Sequence, residues 1–122
     1  MLKNNFFQLA SPLAGGEGLI NTTITLDKLH PIFSGHFPGM PVVPGVCMMA
    51  IIKELLEEKI ERKLTLLQAA NLKFLSLINP LENESVEVEI KFTNEENNTV
   101  VAEGSIFTRS LTFFKITRAV YQ

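Results

Sequence analysis

The stretch Gly35–Glu58, GHFPGMPVVPGVCMMAIIKELLEE, decides how the chain is read. Its first part is a loop dense in proline and glycine around His36. Its second part runs from Val46 to Ile52 without a charge; the first is Lys53. Proline is tolerated at the first helical position, where its missing N–H has no intrahelical partner to lose. The stretch therefore predicts a helix that begins near Pro44. Residues 46–52 are apolar on every side, so the first two turns are expected to be buried all round. From Lys53 the pattern turns amphipathic, with Leu55, Leu56 and Ile60 inward and Glu54, Glu57, Glu58 and Lys59 outward. The acidic cluster Glu54, Glu57, Glu58 and Glu61 is expected to be a solvated helix face.

Outward from this helix the chain reads as strands. Residues 5–10 form a first strand, followed by turn glycines at Gly15, Gly16 and Gly18. LINTTITL, residues 19–26, alternates and is rich in β-branched side chains, as a strand should be. Residues 27–45 hold four prolines and three glycines, which predicts defined bends and no regular element. After the helix, strands are expected over 64–76, 85–93, 98–108 and 111–120. VEVEIKF places Val86, Val88, Ile90 and Phe92 on one face. TNEENNT is a hairpin turn, and Pro80 breaks the chain between two strands. The predicted fold class is α+β: an antiparallel sheet wrapped around one buried helix, in a single domain over 1–122.

The composition bounds the function. With 122 residues, 46% of them hydrophobic, the chain suits one folded core. A net charge of −2 disfavours nucleic acid as a partner. Cys47 is the single cysteine, cannot form an internal disulfide and suits a reducing compartment. The longest apolar run, Val46–Ile52, is far short of the ~20 residues that span a bilayer. A soluble, cytoplasmic protein without a membrane partner is expected.

Two features carry chemistry. His36 sits in a loop whose glycines and prolines can hold a side chain at a fixed angle. Gly45 falls in the first turn of the helix, where its N–H lacks an intrahelical acceptor and lies at the positive end of the helix dipole. A glycine there leaves the approach open, which suits polarising a carbonyl oxygen. Together they describe proton abstraction next to a carbonyl; the plainer alternative is that Pro-Gly only starts a helix. His30, before Pro31, is expected to be a turn residue. Cys47, Met48 and Met49 suit either core packing or the wall of a chain-shaped pocket.

HPIFSGHFPGMPVVPGV, residues 30–46, resembles the signature of the hotdog-fold (3R)-hydroxyacyl-acyl carrier protein dehydratases, H-F-P-G-x-P-x-x-P-G-V followed by the central helix. FLSLINPL and VEVEIKF resemble, more loosely, that family's strand–proline–strand stretch. The resemblance implies a hotdog fold and a dimer whose sheets pair edge to edge, with sites at the interface. It implies that His36 removes the α-proton, that the Val42 carbonyl holds the imidazole and that the Gly45 N–H polarises the thioester carbonyl. The substrate would be an acyl chain on the phosphopantetheine of an acyl carrier protein, in fatty-acid or related lipid biosynthesis. Phe33, Phe37, Met40, Met48, Met49 and Phe74 are candidates for its apolar tunnel. No metal or bound cofactor is implied.

One position departs from the pattern. The family carries a Glu or Asp on the helix, five residues after the glycine matched by Gly45, to protonate the departing hydroxyl; this chain has Ala50 there. Glu54, one turn on, is the candidate substitute acid, ~6 Å farther along the axis. Because that family's histidine and acid come from different subunits, a heterodimer with an acid-bearing relative would have one complete site. The expectation is therefore a dehydratase weakly active as a homodimer or completed by such a partner. The alternatives are a non-catalytic subunit that binds acyl carrier protein, and a hotdog acyl thioesterase in which Glu54 or Glu57 activates water. Lys28, Lys73, Arg109, Lys115 and Arg118 are candidates to meet an acidic carrier protein.

Overall fold

A computed structural model describes residues 2–35 and 41–122. The elements are β1 (Phe7–Leu9), β2 (Leu19–Leu26), α1 (Ile32–Gly35), α2 (Gly45–Ile60), β3 (Leu66–Phe74), β4 (Ser85–Glu95), β5 (Thr99–Thr108) and β6 (Leu111–Tyr121). All six strands join one sheet in the order β1-β2-β4-β5-β6-β3, and every pairing is antiparallel. The sheet wraps around α2, the hotdog arrangement that the strand–helix–strand order predicts.

The period-two signal is what the sheet uses. Val86, Val88, Ile90 and Phe92 of β4 are buried, and Ile20, Ile24 and Leu26 of β2 face the same core. The β4–β5 hairpin closes through Asn97 and Asn98, both left-handed at φ 61° and 60°. Two successive left-handed residues match the strand twist, and asparagine tolerates that region better than most side chains. The wrap comes from irregularity. Between β5 and β6 the register slips from Ala102↔Ala119 to Gly104↔Ile116, with Arg118 at φ 49°. The extra residue bends the pair. At Gly104 an added Cβ would stand 3.0 Å from Ile52 Cδ1, so the missing side chain is what lets α2 settle into the curve.

Three expectations are corrected. The segment 27–45 does hold a regular element, the single turn α1. His30, whose backbone N–H donates to Asp27, starts it: its Nδ1 accepts the Ile32 N–H at 3.1 Å, and its ring stands edge-on to Phe6 at 5.4 Å. The start of α2 is not buried all round: Val46 is 72% exposed, and Met49 and Ala50 are half-buried, because no described residue encloses that stripe. The acidic cluster is not one solvated face, since Glu54 and Glu57 are only 5% and 8% exposed. Both carboxylates have backbone donors that periodicity cannot reveal. Glu57 Oε2 accepts the Leu64 N–H at 2.8 Å and lies 3.7 Å from Lys53 Nζ. Glu54 accepts the N–H groups of Leu2 and Lys3, each at 2.9 Å. Lys3 adds an ion pair to Glu58, which stays exposed.

Candidate active site at the helix start

Pro44 caps α2 in extended geometry and offers no side-chain hydrogen bond to the first turn. Its carbonyl accepts from Cys47 and Met48. The N–H groups of Gly45 and Val46 have no acceptor among the described residues. Two free donors at the positive end of a sixteen-residue helix form a built-in site for developing negative charge.

Gly45 lies at a cavity of about 480 Å³ lined also by Val42, Val43, Pro44, Met48, Phe74, Leu75, Ser76 and Leu77. One hydrogen bond joins its two walls: the Val43 N–H donates to the Ile78 carbonyl at 2.9 Å. That clip brings the approach to α2 alongside the chain leaving β3. Phe74 is the closest piece of the far wall. Its ring packs on Phe114 at 5.1 Å, and a Cβ on Gly45 would come within 2.8 Å of its Cε1. Glycine at 45 thus serves a close approach as well as an open donor. The lining is apolar apart from Ser76 and the backbone, which suits an acyl chain next to a polarised carbonyl.

The structure brings together Val42, Gly45, Met48 and Phe74 of the candidate residues. Phe33 is buried against Phe6, with ring centroids 5.4 Å apart, and does not line this cavity. Met49 packs against the core from the outward side of α2 and does not line it either. His36, Phe37 and Met40 lie outside the described residues. Val43, Leu75 and Leu77 line the wall without having been candidates. The run FLSL after Lys73 was the one signal for Leu75 and Leu77, and the Val43–Ile78 bond gives it meaning.

Glu54 does not reach this site as a free acid, because both its oxygens accept N–H groups of Leu2 and Lys3. Its removal would leave two donors unmatched in a part-buried setting. Glu54→Ala is expected to lower unfolding free energy by about 1–3 kcal/mol in a urea titration, and Glu54→Gln by less. Neither is expected to change kcat by more than about twofold; a collapse of kcat in Glu54→Gln with stability intact would restore it as an acid. Burial first, and then the Glu54 charge, push the Cys47 thiol up from its ordinary value, which disfavours the thiolate.

The basic candidates do not share one surface feature. Lys28 lies 3.6 Å from Glu84. Lys73 and Lys115 are cross-strand partners on β3 and β6. Arg118 lines a second hollow, of about 530 Å³, with Glu17, Lys91 and Glu103. No residue of α2 lines that hollow, so it lies away from the helix start. No cluster of metal ligands and no helix long and apolar enough to cross a membrane occur among the described residues.

Residues 15–108 match the family of ApeI-like proteins, described as ApeI dehydratase. The chain is similar to 3-hydroxyacyl-[acyl-carrier-protein] dehydratase FabZ of Rickettsia conorii, 29% identical over 105 residues, covering 76% of this chain and 70% of that protein. It is 32% identical over 85 residues to the FabZ of Geotalea uraniireducens, covering 62% of this chain and 56% of that one. Among solved structures, it resembles the dehydratase heterocomplex ApeI:P from Xenorhabdus doucetiae, with a TM-score of 0.73, 15% identity and 93% and 96% of the two chains covered. An uncharacterized protein from Erwinia carotovora subsp. atroseptica gives a TM-score of 0.63 at 18% identity, over 92% and 90%. At these identities the structural likeness speaks for the fold.

Proposed function

We propose, because the chain belongs to the ApeI-like dehydratase family, that it removes water from a 3-hydroxyacyl thioester carried on an acyl carrier protein. The observation that carries this reading is the start of α2, where the Gly45 N–H, without an acceptor among the described residues, borders an apolar cavity. The thioester carbonyl would accept from Gly45. Polarising it spreads the charge that forms when the α-proton leaves, and so acidifies that proton. His36, nine residues before Gly45, is the base, held by the Val42 carbonyl. The acyl chain would run along Val42, Met48, Phe74, Leu75 and Leu77, with Phe33, Phe37, Met40 and Met49 as its farther candidates.

The second half of the site comes from a second hotdog subunit. Ala50 supports this, since it lies on the outward stripe of α2 with exposed Val46 rather than at its own cavity. So does β3, whose outer edge pairs with no strand among the described residues and which exposes Leu67, Leu72 and Phe74. Such an edge calls for a partner strand. A homodimer would carry two sites without a carboxylic acid. A heterodimer with an acid-bearing relative would carry one complete site. The thioesterase reading is weaker, since the carboxylates of Glu54 and Glu57 are held by backbone donors.

The test is to mix this chain with an acid-bearing hotdog dehydratase and follow water loss from a 3-hydroxyacyl carrier substrate. A heterodimer with a rate above that of either protein alone is expected. If only homodimers form and the rates simply add, the shared-site version falls. If the mixed dimer forms with no gain in rate, the chain is a binding subunit.

A further inference from the structure

We propose that Ser76 selects the 3-hydroxyacyl chain by hydrogen-bonding its 3-hydroxyl; this rests on the reading above, in which the thioester carbonyl accepts from Gly45. Ser76 is the one polar side chain among the described residues that line the cavity at the start of α2. Exposure alternates along the segment that leaves β3. Leu75 and Leu77 are 55% and 66% exposed, whereas Ser76 is half-buried and Ile78 is buried. Ser76 is therefore turned toward the protomer where its two neighbours are turned outward.

The backbone at Ser76 is held from both sides. The N–H groups of Leu75 and Ser76 both donate to the Phe113 carbonyl, at 2.8 and 3.3 Å. Two residues on, the Ile78 carbonyl accepts the Val43 N–H at 2.9 Å and ties the segment to the approach to α2. Two residues before, the Phe74 ring stands against Gly45, where an added Cβ would lie 2.8 Å from its Cε1. Such ties fix the place of a short side chain, as a binding group requires. The hydroxyl itself has no hydrogen-bond partner among the described residues, and no described side-chain oxygen without a partner is shut off from solvent. It is open to a ligand in the cavity.

A saturated acyl chain along this wall would cover the Ser76 hydroxyl, displace its water and return no hydrogen bond, which is costly for a polar group. A 3-hydroxyacyl chain has one polar group beyond its carbonyl, and it lies two carbons from the carbonyl carbon. With the carbonyl at Gly45, that oxygen stays close to the helix start while the rest of the chain is apolar. A serine hydroxyl both donates and accepts, so it pairs with the 3-hydroxyl in either sense. The 2-enoyl product has lost that oxygen, so the same residue holds product less tightly than substrate.

The experiment measures binding rather than turnover. The probes are 3-hydroxyoctanoyl-pantetheine and octanoyl-pantetheine, each with an amide in place of the thioester so that no water is lost. Their Kd values are determined by calorimetry for the wild type, Ser76→Ala and Ser76→Thr. The wild type is expected to bind the hydroxylated probe ~10-fold more tightly than the saturated one. Ser76→Ala is expected to bind the two alike, with its Kd for the saturated probe no weaker than that of the wild type. Ser76→Thr keeps a hydroxyl and is expected to keep the preference. No preference in the wild type, or the same preference in Ser76→Ala, overturns the role of Ser76 and leaves the acyl cavity standing. Equal weakening of both probes in Ser76→Ala also overturns it, since the residue then only shapes the wall. If the wild type binds neither probe, the dehydratase reading fails and the Ser76 role with it.

Discussion

Replacing His36 with alanine is expected to lower the rate of water loss by ~10²–10⁴-fold, the range for losing a positioned acid–base group. No other histidine can stand in. His30 gives its Nδ1 to the Ile32 N–H and packs its ring on Phe6, which commits it to starting α1. Among the described residues the cavity lining offers no side-chain base. The measurement is the appearance of 2-enoyl product from a 3-hydroxyacyl carrier substrate, together with a melting curve. A fall in kcat with an unchanged melting temperature identifies the base. A rate unaffected by the substitution removes His36 from the chemistry and favours a purely binding subunit.

Replacing Ala50 with glutamate is expected to act in the opposite direction, raising turnover at least tenfold. Ala50 is half-buried beside the exposed Val46 on one face of α2, so the described core does not enclose its side chain. Glutamate is a good helix former, and the substitution costs little in propensity. The gain would come from a carboxylic acid at a position where alanine has no proton to give. Steady-state rates of the two homodimers decide the matter. An unchanged rate in a correctly assembled Ala50→Glu dimer would mean that no substrate hydroxyl comes within reach of position 50.

The two substitutions probe the halves of the proposed site, and its described parts were legible to different degrees. The helix start at Pro44-Gly45 was open to sequence reading because proline and glycine have narrow conformational meanings. The buried face of β4 was open to it because strand side chains alternate strictly. The tunnel wall was half legible: Met48 and Phe74 stood out by type, but Val43, Leu75 and Leu77 are ordinary apolar residues. They become a wall through the Val43–Ile78 hydrogen bond, which joins segments thirty-five residues apart. Glu54 was misread as solvated because its partners are backbone N–H groups of Leu2 and Lys3, which carry no side-chain signature.

What the amino-acid order determined by itself is local and periodic. It set six strands, one long helix, a helix start at Pro44-Gly45, and an alanine at the position where the family resemblance implies a carboxylic acid. Tertiary structure alone decided which carboxylates are engaged, which glycine admits Phe74, and which stripe of α2 stays uncovered. The reason is physical. Hydrophobic period and backbone restriction act over a few residues, whereas burial of a charge depends on which distant donors the fold delivers to it.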